Sequence, residues 1–232
     1  MKRTKIVILN WNGRRHLERF LPTLVENTPE AGIVVADNGS TDDSLDFVRS
    51  RFPQVEIVTM EKNYGYAGGY NRALEQVKAD YFLLLNSDVE VPAGWIVPLI
   101  ETLDTHPEVA AVSPKIRSFS EPARFEYAGA AGGFIDCLGY PFCRGRILDS
   151  IEMDKGQYDD ARDVFWASGA CMLVRSEVFR KLGGFDADFF AHMEEIDFCW
   201  RAQLAGYKIR IDPRSMVFHV GGGTLPNDNP QK

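Results

Sequence analysis

The chain has 232 residues, 45% of them hydrophobic and 12% aromatic, enough to bury one sizeable core. A formal net charge of -7 excludes a nucleic-acid surface, which needs a basic face to neutralise phosphates, so no nucleic-acid partner is expected. Cys137, Cys143, Cys171 and Cys199 have neither the paired spacing of a structural zinc site nor the density of a disulfide framework, and reduced thiols in a cytoplasmic setting are expected.

Met1, Lys2 and Arg3 lead straight into an apolar run too short for a signal peptide or a membrane span. The chain is expected to be soluble or at most peripherally attached. Short runs rich in β-branched or aromatic residues follow at 5–9, 33–36, 55–59 and 81–85. Between them, Leu17, Phe20, Leu21 and Leu24 recur at helical spacing, then Leu45, Val48 and Phe52, then Ala73, Leu74 and Val77 behind a glycine-rich turn. Strands alternating with crossover helices predict parallel α/β layering.

Next come an amphipathic helix over 95–103 and a strand over 109–113. Residues 116–163 scatter Gly, Pro and aromatic residues without a sustained period, which predicts hairpins and a mobile loop covering a site. Order resumes at Phe165, with an apolar run at 171–174, a helix over 176–182, an acidic helix from Glu194 and a last strand over 216–220. The polar stretch after Gly223 reads as a frayed end.

In an open α/β sheet, ligands bind beyond the carboxyl ends of the strands. Here those ends are Asn10-Trp11-Asn12-Gly13, Asp37-Asn38-Gly39-Ser40, Asn63-Tyr64-Gly65 and Asn86-Ser87-Asp88, which point to one polar crevice. Each also reads as turn and cap chemistry, with Ser40 or Thr41 an adequate N-cap. Asp88 stands at a strand end where a hard cation can sit. The first turn has a single glycine and no G-x-x-x-x-G-K-[ST] occurs, which excludes the Rossmann dinucleotide fingerprint and the P-loop. Gly65, Gly68 and Gly69 either admit a ligand close to the backbone or simply start a helix.

Glu194, Glu195 and Asp197 cluster at a helix start, where the helix dipole stabilises acids, and Asp197 is spaced to pair with Arg201. Glu195 is turned roughly 100° from the face shared by Glu194 and Asp197, so one carboxylate is spare for catalysis. His219 closes an apolar run; it is either a satisfied polar residue or, near the other strand ends, an imidazole ligand for a divalent metal.

Together these segments resemble family 2 glycosyltransferases of the GT-A fold, in particular a rhamnosyltransferase-like branch. The resembling blocks are 7–12, 35–42, 63–71, 84–88, 167–175, 183–186, 194–201 and 219–222, nearly the whole chain. The resemblance implies one Rossmann-like α/β domain over 1–232, with a mostly parallel central sheet flanked by helices. Residues 1–115 would form the nucleotide-sugar-binding half, 116–220 the acceptor and catalytic half, and 221–232 a tail.

It further implies a metal-dependent, inverting transfer of a sugar from a UDP- or dTDP-linked nucleotide diphosphate to an acceptor hydroxyl. The acceptor would be a glycan or lipid-linked glycan, in cell-surface polysaccharide synthesis, with the enzyme cytoplasmic or at the inner membrane face. Trp11 would pack on the nucleobase and Asp37 hydrogen-bond it, while Asn10, Asn63, Asn86 and Ser87 shape the nucleotide cleft. Asp88 and His219 would hold Mn2+ or Mg2+, Glu195 would be the base with Glu194 its substitute or an acceptor-orienting group, and Trp166 to Ala170, Gly169 among them, would floor the acceptor site.

The chain departs from the family pattern at Asn86, in place of the first Asp of D-x-D, and at Glu195, in place of the more frequent Asp. Such proteins often continue past the region matching His219, so a shortened chain is expected, with any peripheral membrane contact in a segment not present. Two alternatives are a sugar-nucleotide pyrophosphorylase, for which the loop from Asn10 to Arg15 is a weak match, and a non-catalytic nucleotide-sugar-binding module.

Overall fold

The computed structural model describes residues 2–127 and 129–221. Strands β1 (Thr4–Asn10), β2 (Gly32–Asp37), β3 (Glu56–Thr59) and β4 (Tyr81–Leu85) pair in parallel in the order β3-β2-β1-β4, joined by helices α1 (Arg14–Asn27), α2 (Ser44–Arg51) and α3 (Gly65–Gln76). A short β5 (Val89–Glu90), helix α4 (Val97–Thr105) and strand β6 (Val109–Ser118) follow. Residues 133–151 then form a separate antiparallel sheet of β7 (Gly133–Ile135), β8 (Pro141–Cys143), β9 (Arg146–Ile147) and β10 (Ser150–Ile151).

The chain returns to the main sheet with β11 (Arg162–Val164) and β12 (Cys171–Arg175), passes through α5 (Ser176–Lys181), a 3-10 turn at Ala187–Phe189 and α6 (Glu194–Leu204), and ends in β13 (Lys208–His219). The path across the main sheet is β11-β13-β6-β12-β4-β1-β2-β3. Alternation along the strands divides the core. Val7, Val34, Phe82 and Leu84 pack on one face with Tyr70, Ala73 and Leu74 of α3, whereas Ile6, Ile8, Val35 and Leu83 pack on the other with Leu17 and Leu21 of α1 and Leu99 of α4.

Several elements differ from the sequence reading. Gly68 and Gly69 lie inside α3, not in a turn before it. A Cβ on Gly69 would come 2.9 Å from both Leu9 and Asn38, so the glycine lets the helix approach the sheet. Neither Ser40 nor Thr41 caps α2; the residue before it is Asp43, and Asp42 accepts from the Ser44 N–H at 3.2 Å. The last strand begins at Lys208, and its register with β6 shifts between Asp212 and Met216, which conceals the alternation. The hairpins expected within 116–163 are present; the tail after Gly223 lies outside the described residues.

Candidate active site

The loops after β1, β2 and β3 are stitched together by asparagines. The Asn10 side-chain amide lies 3.0 Å from Asp37 Oδ1 and 2.9 Å from Ser44 Oγ, while Asp37 Oδ2 accepts the Ser40 N–H at 3.1 Å. Both residues are buried, and the Asp37 carboxylate is engaged in holding its own loop. Asn38 reaches the third loop, donating to Asn63 Oδ1 at 3.0 Å and accepting from the Tyr64 N–H at 3.0 Å. Asn63 Oδ1 also takes the Gly65 N–H at 2.8 Å. Trp11, next in the chain after Asn10, is 45% exposed.

The next strand end carries a second group. β5 pairs with the end of β13, His219 opposite Val89, and this brings Asp88 Oδ1 to 3.2 Å from His219 Nε2. Asn86 Nδ2 lies 3.4 Å from the same nitrogen, Glu126 Oε1 is 3.4 Å from Nδ1, and Ser87 Oγ is 3.5 Å from His16 Nδ1. Burial opposes charge on both partners of the pair, yet the hydrogen bond between them wins. Asp88 is held below the usual carboxylate range, and His219, flanked by Asp88 and Glu126, is pushed up to about 10.

Among the described residues, no group of three or more His, Cys, Asp or Glu side chains is placed to hold a metal. Asp88 and His219 nevertheless offer one carboxylate oxygen and one imidazole nitrogen close enough to share an ion, a mixed donor set that suits Mn2+ better than Mg2+, which prefers oxygen alone. Two protein donors would leave such an ion open to substrate phosphate oxygens and water. Loading requires His219 to give up its proton.

The third group lies along the same sheet edge. β12 runs antiparallel to β4 with Cys171 opposite Leu85, so residues 168–170 enter the sheet beside Asn86, whose N–H donates to Ala170 O at 3.0 Å. The Tyr66 hydroxyl donates to Gly169 O at 2.7 Å. A Cβ on Gly169 would crowd the Tyr66 hydroxyl oxygen at 3.1 Å and would lie at ordinary contact distance, 3.8 Å, from that of Glu195.

Glu194 is buried, Glu195 is partly buried, and one Oε2 atom of each is enclosed without a hydrogen-bond partner. Burial, and then the charge of Glu195, push the Glu194 carboxyl up to about 8; burial raises Glu195 as well, against the pull of backbone N–H groups that include Gly169. Two adjacent enclosed carboxyls, both raised, form a candidate acid–base pair.

Asp197 is instead committed to Arg201 at 2.7 Å. Trp166 is 6% exposed and its indole N–H donates to Phe134 O, so it supports the segment leading to Gly169 from within. Ahead of α6, Phe190, His192 and Met193 all take positive φ, while Phe190 O accepts the Tyr66 and Ala67 N–H groups at the start of α3. Strained backbone of this kind straps the start of α6 to α3. Sequence reasoning did not single out Tyr66, Glu126, Ser44 or His16. Tyr66 sits within a resembling block, whereas Glu126 falls in the stretch without periodicity and carries no signal.

The same architecture recurs in solved glycosyltransferases of the GT-A fold. GalNAc-T7, solved with UDP, GalNAc and Mn2+, superposes with a TM-score of 0.74 at 18% identity over 93% of this chain and 43% of its own. A mannosyltransferase from Pyrobaculum calidifontis with GDP-Man and Mn2+ gives 0.68 at 19% identity over 94% of this chain and 56% of its own. The chain thus spans about half of each solved chain. The model of Glycosyl transferase family 2 matches residues 5–183, and the chain belongs to that family. Among curated proteins, an N-acetylglucosaminyl-diphospho-decaprenol L-rhamnosyltransferase of Mycobacterium tuberculosis is 30% identical over 230 residues, covering 92% of this chain and 75% of the relative. No helix among the described residues is long and apolar enough to cross a membrane.

Proposed function

We propose that the protein transfers a sugar from a UDP- or dTDP-linked nucleotide diphosphate to a hydroxyl of a lipid-linked glycan, with inversion, during cell-surface polysaccharide synthesis at the cytoplasmic face. The observation that carries this reading is the enclosed Glu194 and Glu195 pair, with Glu195 against Gly169 in the segment that meets Asn86, two residues before Asp88. The decaprenyl-diphosphate acceptor named for the mycobacterial relative supports the lipid-linked acceptor, and its rhamnosyl transfer supports a deoxyhexose donor.

Trp11 stacks on the nucleobase, Asp37 accepts a hydrogen bond from its edge, and Asn10 and Asn63 hold the loops that present them. Asn86 and Ser87 line the way to the diphosphate. A divalent ion held by Asp88 and His219 would supply positive charge to the departing diphosphate. Asn86, neutral where the family carries Asp, weakens that ion's hold. Glu195 takes the proton of the acceptor hydroxyl as its oxygen bonds to the anomeric carbon and the bond to the diphosphate breaks. Glu194 orients the acceptor, with Trp166 and Gly169 beneath it. Family membership leaves the pyrophosphorylase alternative without support, and two carboxyls enclosed at a desolvation cost argue against a non-catalytic module.

A thermal-shift screen of UDP, dTDP and GDP, each with and without Mn2+, tests the donor side. Stabilisation by one nucleotide that depends on the ion supports the reading; no response to any of them contradicts it.

A further inference from the structure

The β7–β10 sheet carries apolar surface that the fold does not use. Leu138, Tyr140, Ile147 and Leu148 are 79%, 69%, 73% and 83% exposed. Phe142, Ile147 and Leu148, with Pro141 and Arg146, line a groove of roughly 270 Å³. Ile147 pairs with Ser150, so Leu148 and Asp149 make a two-residue hairpin turn, and Leu148 sits there at φ 52. That conformation suits Gly or Asn. An exposed leucine in it serves neither the turn nor the core.

Arg146 gives the groove a charge. Its guanidinium lies 3.8 Å over the Tyr127 ring, its Nη1 is buried without a hydrogen-bond partner, and it makes no salt bridge among the described residues. Neighbouring cations are compensated: Arg144 pairs with Asp160 at 2.6 Å, and Arg117 with Asp154. The groove also communicates with the candidate active site. Phe142 stacks on Phe134, whose carbonyl accepts the Trp166 indole N–H, and Trp166 leads to Gly169 beside Glu195.

An apolar groove with a guanidinium that no carboxylate pairs among the described residues is complementary to an anionic amphiphile. A flat anionic membrane is a poorer match, because residues 136–163 hold seven Asp and Glu against four Lys and Arg. We propose that this groove binds the isoprenyl diphosphate of the acceptor, the first isoprene units against Phe142, Ile147 and Leu148 and the diphosphate drawn by Arg146. This rests on the lipid-linked acceptor proposed above and assigns the part of the protein that recognises its lipid.

The test is calorimetric titration of the whole chain with farnesyl diphosphate, farnesol and inorganic pyrophosphate in EDTA, which removes any contribution from a divalent ion. Farnesyl diphosphate is expected to bind more tightly than either fragment. The double variant Ile147→Glu/Leu148→Glu, at exposed positions that do not hold the fold, should weaken it about tenfold or more. Arg146→Ala should weaken farnesyl diphosphate about fivefold or more and leave farnesol unchanged. Unchanged binding of farnesyl diphosphate by the double variant overturns the proposal. So does equal binding of the wild type to phosphatidylcholine vesicles without isoprenoid when that binding is lost in the double variant, since the surface then docks on membranes.

Kinetics separate this proposal from the transferase reading. Transfer to a farnesyl-diphosphate-linked sugar with an unchanged KM in the double variant removes the groove and leaves the transferase standing. Groove-dependent binding of farnesyl diphosphate by a protein that transfers no sugar supports the groove and removes the transferase.

Discussion

The Tyr66 hydroxyl donates a 2.7 Å hydrogen bond to the carbonyl of Gly169, the residue that lies against Glu195. Burial, then the neighbouring Tyr70 and the two glutamates, raise the Tyr66 pKa well above its ordinary value, so the phenol keeps its proton and donates. Tyr66→Phe should leave Gly169 free to shift relative to the proposed base. The expected result is a fall in kcat of about tenfold with the donor KM unchanged, alongside a stability loss of about 1 kcal/mol. Steady-state kinetics with a varied donor would check this, and a change in donor KM alone would count against a positioning role.

At the other side of the site, Asp88→Asn keeps the shape of the side chain and removes the charge that His219 answers. Nucleotide affinity in Mn2+ should drop by about a hundredfold or more, while the smaller affinity measured in EDTA stays the same. Titration calorimetry in the two buffers reads both quantities. Equal loss in both would mean that Asp88 supports the loop and not the ion.

Glu194 ties stability to pH. Its carboxyl is raised from 4.5 to about 8 by burial and by Glu195, so the folded protein holds a proton that the unfolded chain releases. Its favourable contribution is therefore complete below about 4.5, declines as pH rises, and is gone above about 8. Glu194→Gln, which cannot ionise, should be nearly neutral at acid pH and should raise Tm by several degrees at the alkaline end. Thermal melts of both proteins across this range measure the gap; a constant gap would show that Glu194 is ionised in the fold.

Asp154 fastens the segment that carries the small sheet. Its side chain is 0% exposed and sits between Lys115, at 3.0 Å, and Arg117. Asp154→Ala removes the shared partner of two cations, one of them Lys115 with a side chain only 4% exposed. Lys115 keeps its contact with Asp159, so a loss of about 2 kcal/mol in denaturant unfolding is expected, less than for a buried charge left with no partner.

Strands β1, β2 and β4 were legible in the sequence because each holds an apolar run buried on both faces, whereas β3, partly exposed at the sheet edge, showed only through Ile57 and Val58; the polar ends of the strands mark the crevice directly. Other parts were not. β12 inserts antiparallel between β4 and β6, a pairing that no local pattern encodes. In β13, Asp212, Pro213 and Arg214 interrupt the alternation at the shift in register, where Asp212 is satisfied by Thr102 and Arg214. Asp88 and His219 could be named as a pair from the family resemblance, whereas Glu126 reaches His219 from a stretch without periodicity. Asp37 and Asn63 were legible as polar strand ends, but only the fold reveals that hydrogen bonds between loops already engage them.

The most direct test of the central claim is sugar transfer by Glu195→Gln, measured beside calorimetric binding of the donor nucleotide with Mn2+. Glutamine keeps the size and polar contacts of the side chain and cannot take a proton. Transfer should fall by about three orders of magnitude with nucleotide binding unchanged. Transfer at the wild-type rate would contradict the assignment of Glu195 as the base.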